Sequence, residues 1–316
     1  MKLLIVITSY RAKDLTVDCL RSLVGEVKET PGIRVGICDN GNEDDTLDYL
    51  NNAIASEGWQ DWVYVKHVMP NRGFAGGNNV ILRDALESGE GYDYYLLLNA
   101  DTIVRPGALG RLISGMESEE GIGIACPRLE WPDGSPQISC FRFMSPVSEF
   151  IDAARTSVVT KLLERWNIPM PVSDVPTEMQ WGSFACALIR REVLEKVGVL
   201  DERYYLYYDD VDYCRLARNA GWRVKYFPDS HVVHLRGKSN PLKEKAAKRL
   251  RRPAYWYRSR SGYLVKFYGR AGLFAANMLW YAGRMISLLR ELIGNKQPHV
   301  CEKEWRDIWI GFSQAR

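Results

Sequence analysis

The stretch YYLLLNAD at residues 94–101 decides how this chain is read. An unbroken apolar and aromatic run with no alternation indicates a strand buried on both faces, as in the centre of a parallel sheet. Asn99 and Asp101 follow at its carboxyl end, the edge where open α/β sheets bind their ligands.

The pattern repeats on both sides of this run. KLLIVIT (2–8), IRVGICD (33–39), WVYVKHV (62–68) and IGIACPRL (122–129) are further candidate strands. Helical spacing separates them, with Leu20, Leu23, Val24 and Val27 after the first strand and Leu109, Leu112, Ile113 and Met116 after Pro106. This alternation predicts an α/β fold with a mostly parallel central sheet flanked by helices. Residues 135–180 hold five prolines and read as an irregular insertion with one helix around 149–166. A helix over 211–220 stopped by Gly221, then a strand RVKYF, complete an ordered block over 181–234.

Composition narrows the class. With 316 residues, 46% hydrophobic and 26% charged, the chain is neither disordered nor a small disulfide scaffold. Seven scattered cysteines, never spaced as CxxC, argue against a zinc site or a disulfide framework and suit a reducing cytoplasm. The apolar run at 3–7 is too short for a signal-peptide core, and that at 271–283 falls short of the roughly 20 residues a spanning helix needs. Charge is unevenly placed: residues 236–270 carry twelve Lys or Arg against one acid, leaving 1–235 at −10.

Several clusters carry possible chemistry, each beside a plainer structural reading. Asp101, near Asn99, suits a hard divalent cation shared with phosphate oxygens, or merely starts the turn before Pro106. NRGFAGGNN (71–79) is neither GxGxxG nor a P-loop, yet Gly73, Gly76 and Gly77 permit close backbone approach to a ligand ahead of a helix beginning near Asn78. Asp39 before Asn40 and Gly41 serves a turn, or accepts the ring N–H of a pyrimidine. Asp209, Asp210 and Asp212 crowd a helix start, where capping and the helix dipole favour acids. Crowded carboxylates under aromatic cover also raise at least one pKa, as a general base near neutral pH requires. His231 and His234 fall on opposite faces if extended, so only one reaches a metal at Asp101; an imidazole ligand favours Mn²⁺ over Mg²⁺.

Taken in order, ITSYR, CDNGNEDDT, NRGFAGGNN, LLLNAD, WGSFACALIRR and LDERYYLYYDDVDYC followed by HVVH resemble the family 2 glycosyltransferases of the GT-A fold. The likeness is greatest to the bacterial rhamnosyltransferase-like branch that acts on cell-envelope polysaccharides such as O antigen. It covers residues 1 to about 240 and implies a nucleotide-sugar-binding, catalytic domain over 1–240 with a helical extension over 241–316. By this resemblance Asp39 contacts the base, Thr8 and Tyr10 lie by the nucleotide, and Gly73, Gly76 and Asn78 border the donor, with Arg72 assisting at the phosphates. Asp101 takes the last place of the DxD metal motif, Asn99 replaces its first aspartate, and His234 completes a Mn²⁺ or Mg²⁺ site. Asp210 corresponds to the catalytic base, and Trp181, Gly182, Ser183 and Asp209 lie on the acceptor side.

The implied activity is inverting transfer of a sugar, rhamnose by branch, from a dTDP- or UDP-linked donor to a glycan or lipid-linked glycan. Transfer of galactofuranose, N-acetylglucosamine or glucose from UDP, and non-catalytic nucleotide-sugar or glycan binding, stay open. In the extension, Lys243, Lys245, Lys248, Arg249, Arg251 and Arg252 precede Tyr255, Trp256 and Tyr257. Phe274, Met278, Tyr281, Met285, Leu288 and Leu292 then form an apolar stripe opposite Arg270, Asn277, Arg284 and Glu291. Such a stripe suits packing onto the body, a homodimer contact, or peripheral attachment to an anionic membrane on the cytoplasmic side. Nucleic-acid binding is not expected.

Overall fold

In a computed structural model, which describes residues 1–235, 247–294 and 297–314, the leucine run is a central strand. The elements in chain order are β1 (Leu3–Ser9), α1 (Lys13–Glu29), β2 (Ile33–Asn40), α2 (Thr46–Glu57), β3 (Val63–Val68), α3 (Gly73–Glu87), β4 (Tyr94–Asn99), β5 (Thr102–Val104), α4 (Ala108–Glu117) and β6 (Ile122–Glu130). Then come β7 (Cys140–Phe141), α5 (Pro146–Ala154), α6 (Ser157–Leu162), β8 (Thr177–Met179), β9 (Trp181–Gly182), β10 (Cys186–Arg190), α7 (Arg191–Val197), α8 (Asp209–Asn219), β11 (Arg223–His234), α9 (Ala254–Gly294) and α10 (Glu304–Asp307).

The chain divides into two compact units. The first comprises residues 1–140, 171–205 and 209–239, and the second residues 141–170, 206–208 and 240–316. The division therefore does not fall at a single point near 240, because part of the insertion joins the carboxyl-terminal helices.

The first unit is built on a nine-stranded sheet in the order β3-β2-β1-β4-β10-β6-β11-β5, with β8 beside β11. Strands β1 to β4 pair in parallel, and β10 is antiparallel to β4 and β6, so the expected α/β fold holds. Leu3 through Ile7 of β1 are fully buried, each side chain contributing about 1.5–3 kcal/mol of hydrophobic stabilisation. Helix α4 has no side-chain cap of its own. Glu26 of α1 supplies one instead, its carboxylate accepting the N–H groups of Gly107 and Leu109, so the buried acid meets the positive end of the helix dipole.

Local expectations fail in informative places. Helix α3 starts at Gly73, five residues before Asn78, so the glycines occupy its first turns. Gly73 has φ +72° and a Cβ there would run into the Tyr205 carbonyl oxygen, while a Cβ at Gly77 would lie 2.5 Å from Cγ2 of Thr8. Their small size is thus used against protein atoms. The single helix expected around 149–166 is two helices and a 3₁₀ turn over Glu164–Trp166. Arg155 takes a left-handed conformation at the end of α5, and the Thr156 hydroxyl restarts the chain by accepting from the Val159 N–H. Helix α8 starts at Asp209 rather than 211, and RVKYF and HVVH belong to one strand, β11, that shifts register between Phe227 and His231.

In the second unit α9 breaks at Gly269 and its packed face buries Arg260, whose guanidinium meets Glu149 at 3.0 and 2.9 Å and Asn277 at 3.0 Å. Of the aromatic patch, Tyr257 is fully buried, while Tyr255 and Trp256 are half-buried and Trp256 packs on Tyr208. Arg251 and Arg252 are paired with Asp307 and Glu304, while Lys243 and Lys245 lie outside the described residues. The expected apolar stripe exists, but Phe274, Met278, Met285, Leu288 and Leu292 face outward.

Candidate active site

Strand register assembles the site. Parallel pairing sets Thr8 beside Asn99 and Ser9 beside Asp39 at the carboxyl edge of β1, β2 and β4. From Asn99 the chain turns through Asp101 into β5, the Thr102 hydroxyl donating to the Asn99 carbonyl at 2.7 Å and the Asn99 N–H to the Ala185 carbonyl at 2.9 Å. Strand β11 runs antiparallel to β5 with His234 opposite Thr102, and the Leu235 N–H donates to the Asp101 carbonyl at 2.9 Å. The two side chains meet: Nε2 of His234 lies 3.6 Å from Oδ1 of Asp101, and both residues are buried. His231 points elsewhere, to Glu130 at 3.0 Å, as the opposite-face parity requires.

Asp101 and His234 can together present an oxygen and an imidazole nitrogen to a divalent cation. Nδ1 of His234 is buried with no hydrogen-bond partner among the described residues, an orphaned polar atom at the sheet edge. No group of three or more His, Cys, Asp or Glu positioned to hold a metal occurs among the described residues. Two donors fall short of a metal site, so a cation here would need its remaining ligands from elsewhere, such as phosphate oxygens.

Asp210 lies in the first turn of α8 and accepts the Val211 N–H at 2.8 Å and the Phe184 N–H. Burial pushes its carboxyl up to about 6, against the lowering effect of these backbone donors. Its buried neighbour Asp209 is raised further, by burial and then by the charge of Asp210. The segment 181–185 joins this helix to the sheet edge: Gly182 donates to Cys214, Phe184 to Asp210, and Ala185 accepts from Asn99. Within it Trp181 is buried and Ser183 half-buried, the Ser183 hydroxyl accepting the Ala185 N–H at 3.3 Å. Just ahead of Asp209, Tyr207 and Tyr208 have φ of 67° and 72°. Left-handed backbone at two successive non-glycine residues costs on the order of 1–3 kcal/mol each and is characteristic of constrained functional segments.

Asp39 is fully buried and its two oxygens face Asn42 at 2.5 Å and Nδ1 of His67 at 2.7 Å. Asn42 extends the network to the Ser9 carbonyl and the Arg11 N–H. His67 escaped the sequence reading, because only the parallel register of β2 and β3 makes it the partner of Asp39. Asn79, at the end of the glycine-rich loop expected to border the donor, fastens α3 to Leu200 and Glu202. Its neighbour Asn78 bonds back to the Phe74 carbonyl at 2.9 Å within its own helix, and Gly76 lies against the Arg72 side chain. Arg72 itself is exposed, its N–H held by Asn40. The hydroxyl of Thr8 is buried without a hydrogen-bond partner among the described residues, and Tyr10 carries the Arg11 guanidinium 5.2 Å from its ring centre.

A family model described as glycosyltransferase like family 2 matches residues 2–258. The chain belongs to that family. Among curated relatives of this family 2 glycosyltransferase, the N-acetylglucosaminyl-diphospho-decaprenol L-rhamnosyltransferase of Mycobacterium tuberculosis is 29% identical over 147 residues, 45% of this chain and 47% of that protein. Rhamnosyltransferase WbbL of Escherichia coli K12 is 26% identical over 166 residues, 51% of this chain and 60% of that one. The match thus spans about half the length of these relatives. The mannosyltransferase PcManGT of Pyrobaculum calidifontis, solved with GDP-Man and Mn²⁺, superposes with a TM-score of 0.57 at 13% identity, covering 99% of this chain and 85% of that one. TarS 1-349 of S. aureus, solved with UDP, gives 0.51 at 14% identity over 94% and 76%. These solved structures share the GT-A fold.

Proposed function

We propose that this family 2 member transfers a sugar, rhamnose in the first instance, from a dTDP- or UDP-linked donor to a hydroxyl of a cell-envelope polysaccharide or lipid-linked glycan, with inversion. The observation that carries this reading is the joining, through residues 181–185, of a buried Asp101–His234 pair at the sheet edge to a carboxyl raised to about 6 at Asp210. Membership of family 2 and the two rhamnosyltransferase relatives support the sugar-transfer class.

In this mechanism Asp39, oriented by His67 and Asn42, accepts the ring N–H of the pyrimidine, while Thr8 and Tyr10 border the nucleotide. Asp101 and His234 would hold Mn²⁺ or Mg²⁺, which supplies electrostatic stabilisation of a leaving diphosphate when bound. Arg72 adds positive charge near the phosphates. Asp210 takes the proton from the acceptor hydroxyl as its oxygen bonds to the anomeric carbon and the bond from that carbon to the phosphate oxygen breaks on the opposite face. Asn99 in place of an acid leaves one anionic donor fewer, so cation binding should depend on the donor diphosphate being present.

The test is a panel of nucleotide sugars with Mn²⁺ or Mg²⁺, scored by release of nucleoside diphosphate and by thermal stabilisation. Turnover of dTDP- or UDP-sugars that disappears in Asp210→Asn supports the reading; stabilisation by donors with no turnover under any acceptor condition would make the protein a nucleotide-sugar binder.

A further inference from the structure

Helix α9 packs through a mixed polar and apolar face and leaves an apolar stripe outside. After the break at Gly269, the face packed onto the second unit includes Asn277, Ser287 and Glu291 beside Leu273 and Trp280. These polar groups are satisfied internally. Asn277 binds Arg260 and the Ile308 carbonyl, and Glu291 is clasped by Arg284 at 2.8 and 2.7 Å, whose hydrogen bonds hold its carboxyl down to about 2. The outer face carries Phe274, Met278, Met285, Leu289, Leu292 and Ile293, the last two 78% and 88% exposed. Their spacing makes one stripe along the helix. A helix that merely covers a core turns such a stripe inward, and a contiguous exposed apolar surface marks contact with something other than water.

Apolar exposure recurs on α6. Arg290 donates to the carbonyl of Arg155, directly ahead of α6, where Val158 and Leu162 are exposed together with Lys161. The charge of the unit selects the occupant. Its residues, 141–170, 206–208 and 240–316, hold twenty Lys or Arg against eight Asp or Glu, for a net +12. Two copies meeting through this face would bring like charge together, whereas a surface that is apolar below and anionic above complements both properties. No described helix is long and apolar enough to cross a membrane.

We propose that the outer face of α9 from Phe274 to Ile293, together with α6, seats the protein on an anionic lipid surface. The apolar side chains enter the headgroup boundary, and flanking Arg155, Lys161 and Arg165 face the lipid phosphates. The inference rests on the exposure and charge of the second unit and stands apart from the sugar-transfer reading.

The experiment is flotation of the full chain with vesicles of phosphatidylcholine and phosphatidylglycerol, and with phosphatidylcholine alone. Wild-type protein should float with the anionic vesicles, and the combined variant Leu289→Glu, Leu292→Glu and Ile293→Glu should lose about tenfold or more in partitioning. Because these positions are solvent-exposed, its circular dichroism and melting should match wild type. All seven cysteines are buried, so Leu292→Cys accepts an environment-sensitive dye selectively; its emission should shift to the blue on anionic vesicles only. Absent wild-type flotation, equal binding by the triple variant, or an unshifted dye overturns the proposal. So does a dimer in ultracentrifugation that the triple variant dissolves, which would assign the face to a second copy.

Discussion

Nε2 of His234 lies 3.6 Å from Oδ1 of Asp101, although 133 positions separate them in the chain, because β11 returns antiparallel to β5 and ends opposite Thr102. If the pair holds a cation with the donor, Asp101→Ala should abolish the extra thermal stabilisation that Mn²⁺ adds to UDP or dTDP. His234→Ala should weaken the Mn²⁺ response more than the Mg²⁺ response, since imidazole discriminates between them. Unaltered metal titrations in both variants would remove the pair from the site.

Asp210→Asn should keep donor binding and lose transfer by about 10² or more, the usual worth of a positioned base. In wild type the acid limb of the rate profile should centre on about 6, where the Asp210 carboxyl ionises. A flat profile between pH 5 and about 7 would leave the proton to another group.

The same substitution makes a stability prediction of opposite sense. A carboxyl raised from about 4 to about 6 binds its proton more tightly in the folded chain, so its contribution is full below the unfolded pKa and is lost as pH rises through the folded one. Asp210→Asn should therefore stabilise the protein by on the order of 1–2 kcal/mol at pH 8, the gain shrinking as pH falls toward 5. Paired melting curves at the two pH values measure this difference.

His67→Ala should raise the donor KM about five- to tenfold with kcat little changed, because it removes the hydrogen bond that orients Asp39. A fall in kcat at constant KM would show that the imidazole acts elsewhere.

Arg260→Met should cost about 3–5 kcal/mol by stranding Glu149 in the second unit, and adding Glu149→Leu should recover much of it. Chemical denaturation of the two variants provides the comparison.

The alternation of apolar runs with helical spacing was legible without coordinates, because burial on both faces demands uninterrupted Val, Ile and Leu in β1 and β4. Asp101, Asp210 and His234 were legible as motif residues through the family resemblance, and they lie in the turn between β4 and β5, in the first turn of α8 and at the end of β11. The start of α3 was misjudged because Gly73 and Gly77 resemble loop residues until Tyr205 and Thr8 are seen against them. His67 carries no local signal at all, being defined by its neighbour on another strand.

Helix α9 shows where the division falls. Its period and its two stripes were present in the sequence, but spacing is blind to which stripe faces the protein. Burial of Asn277 and Glu291 depends on the distant partners Arg260, Ile308 and His299, and that left Leu292 and Ile293 outside. Local pattern determined the elements and the residue types at their ends; tertiary packing decided which side chains meet, because hydrogen-bond partners and contacts are set by register and approach between segments far apart in the chain.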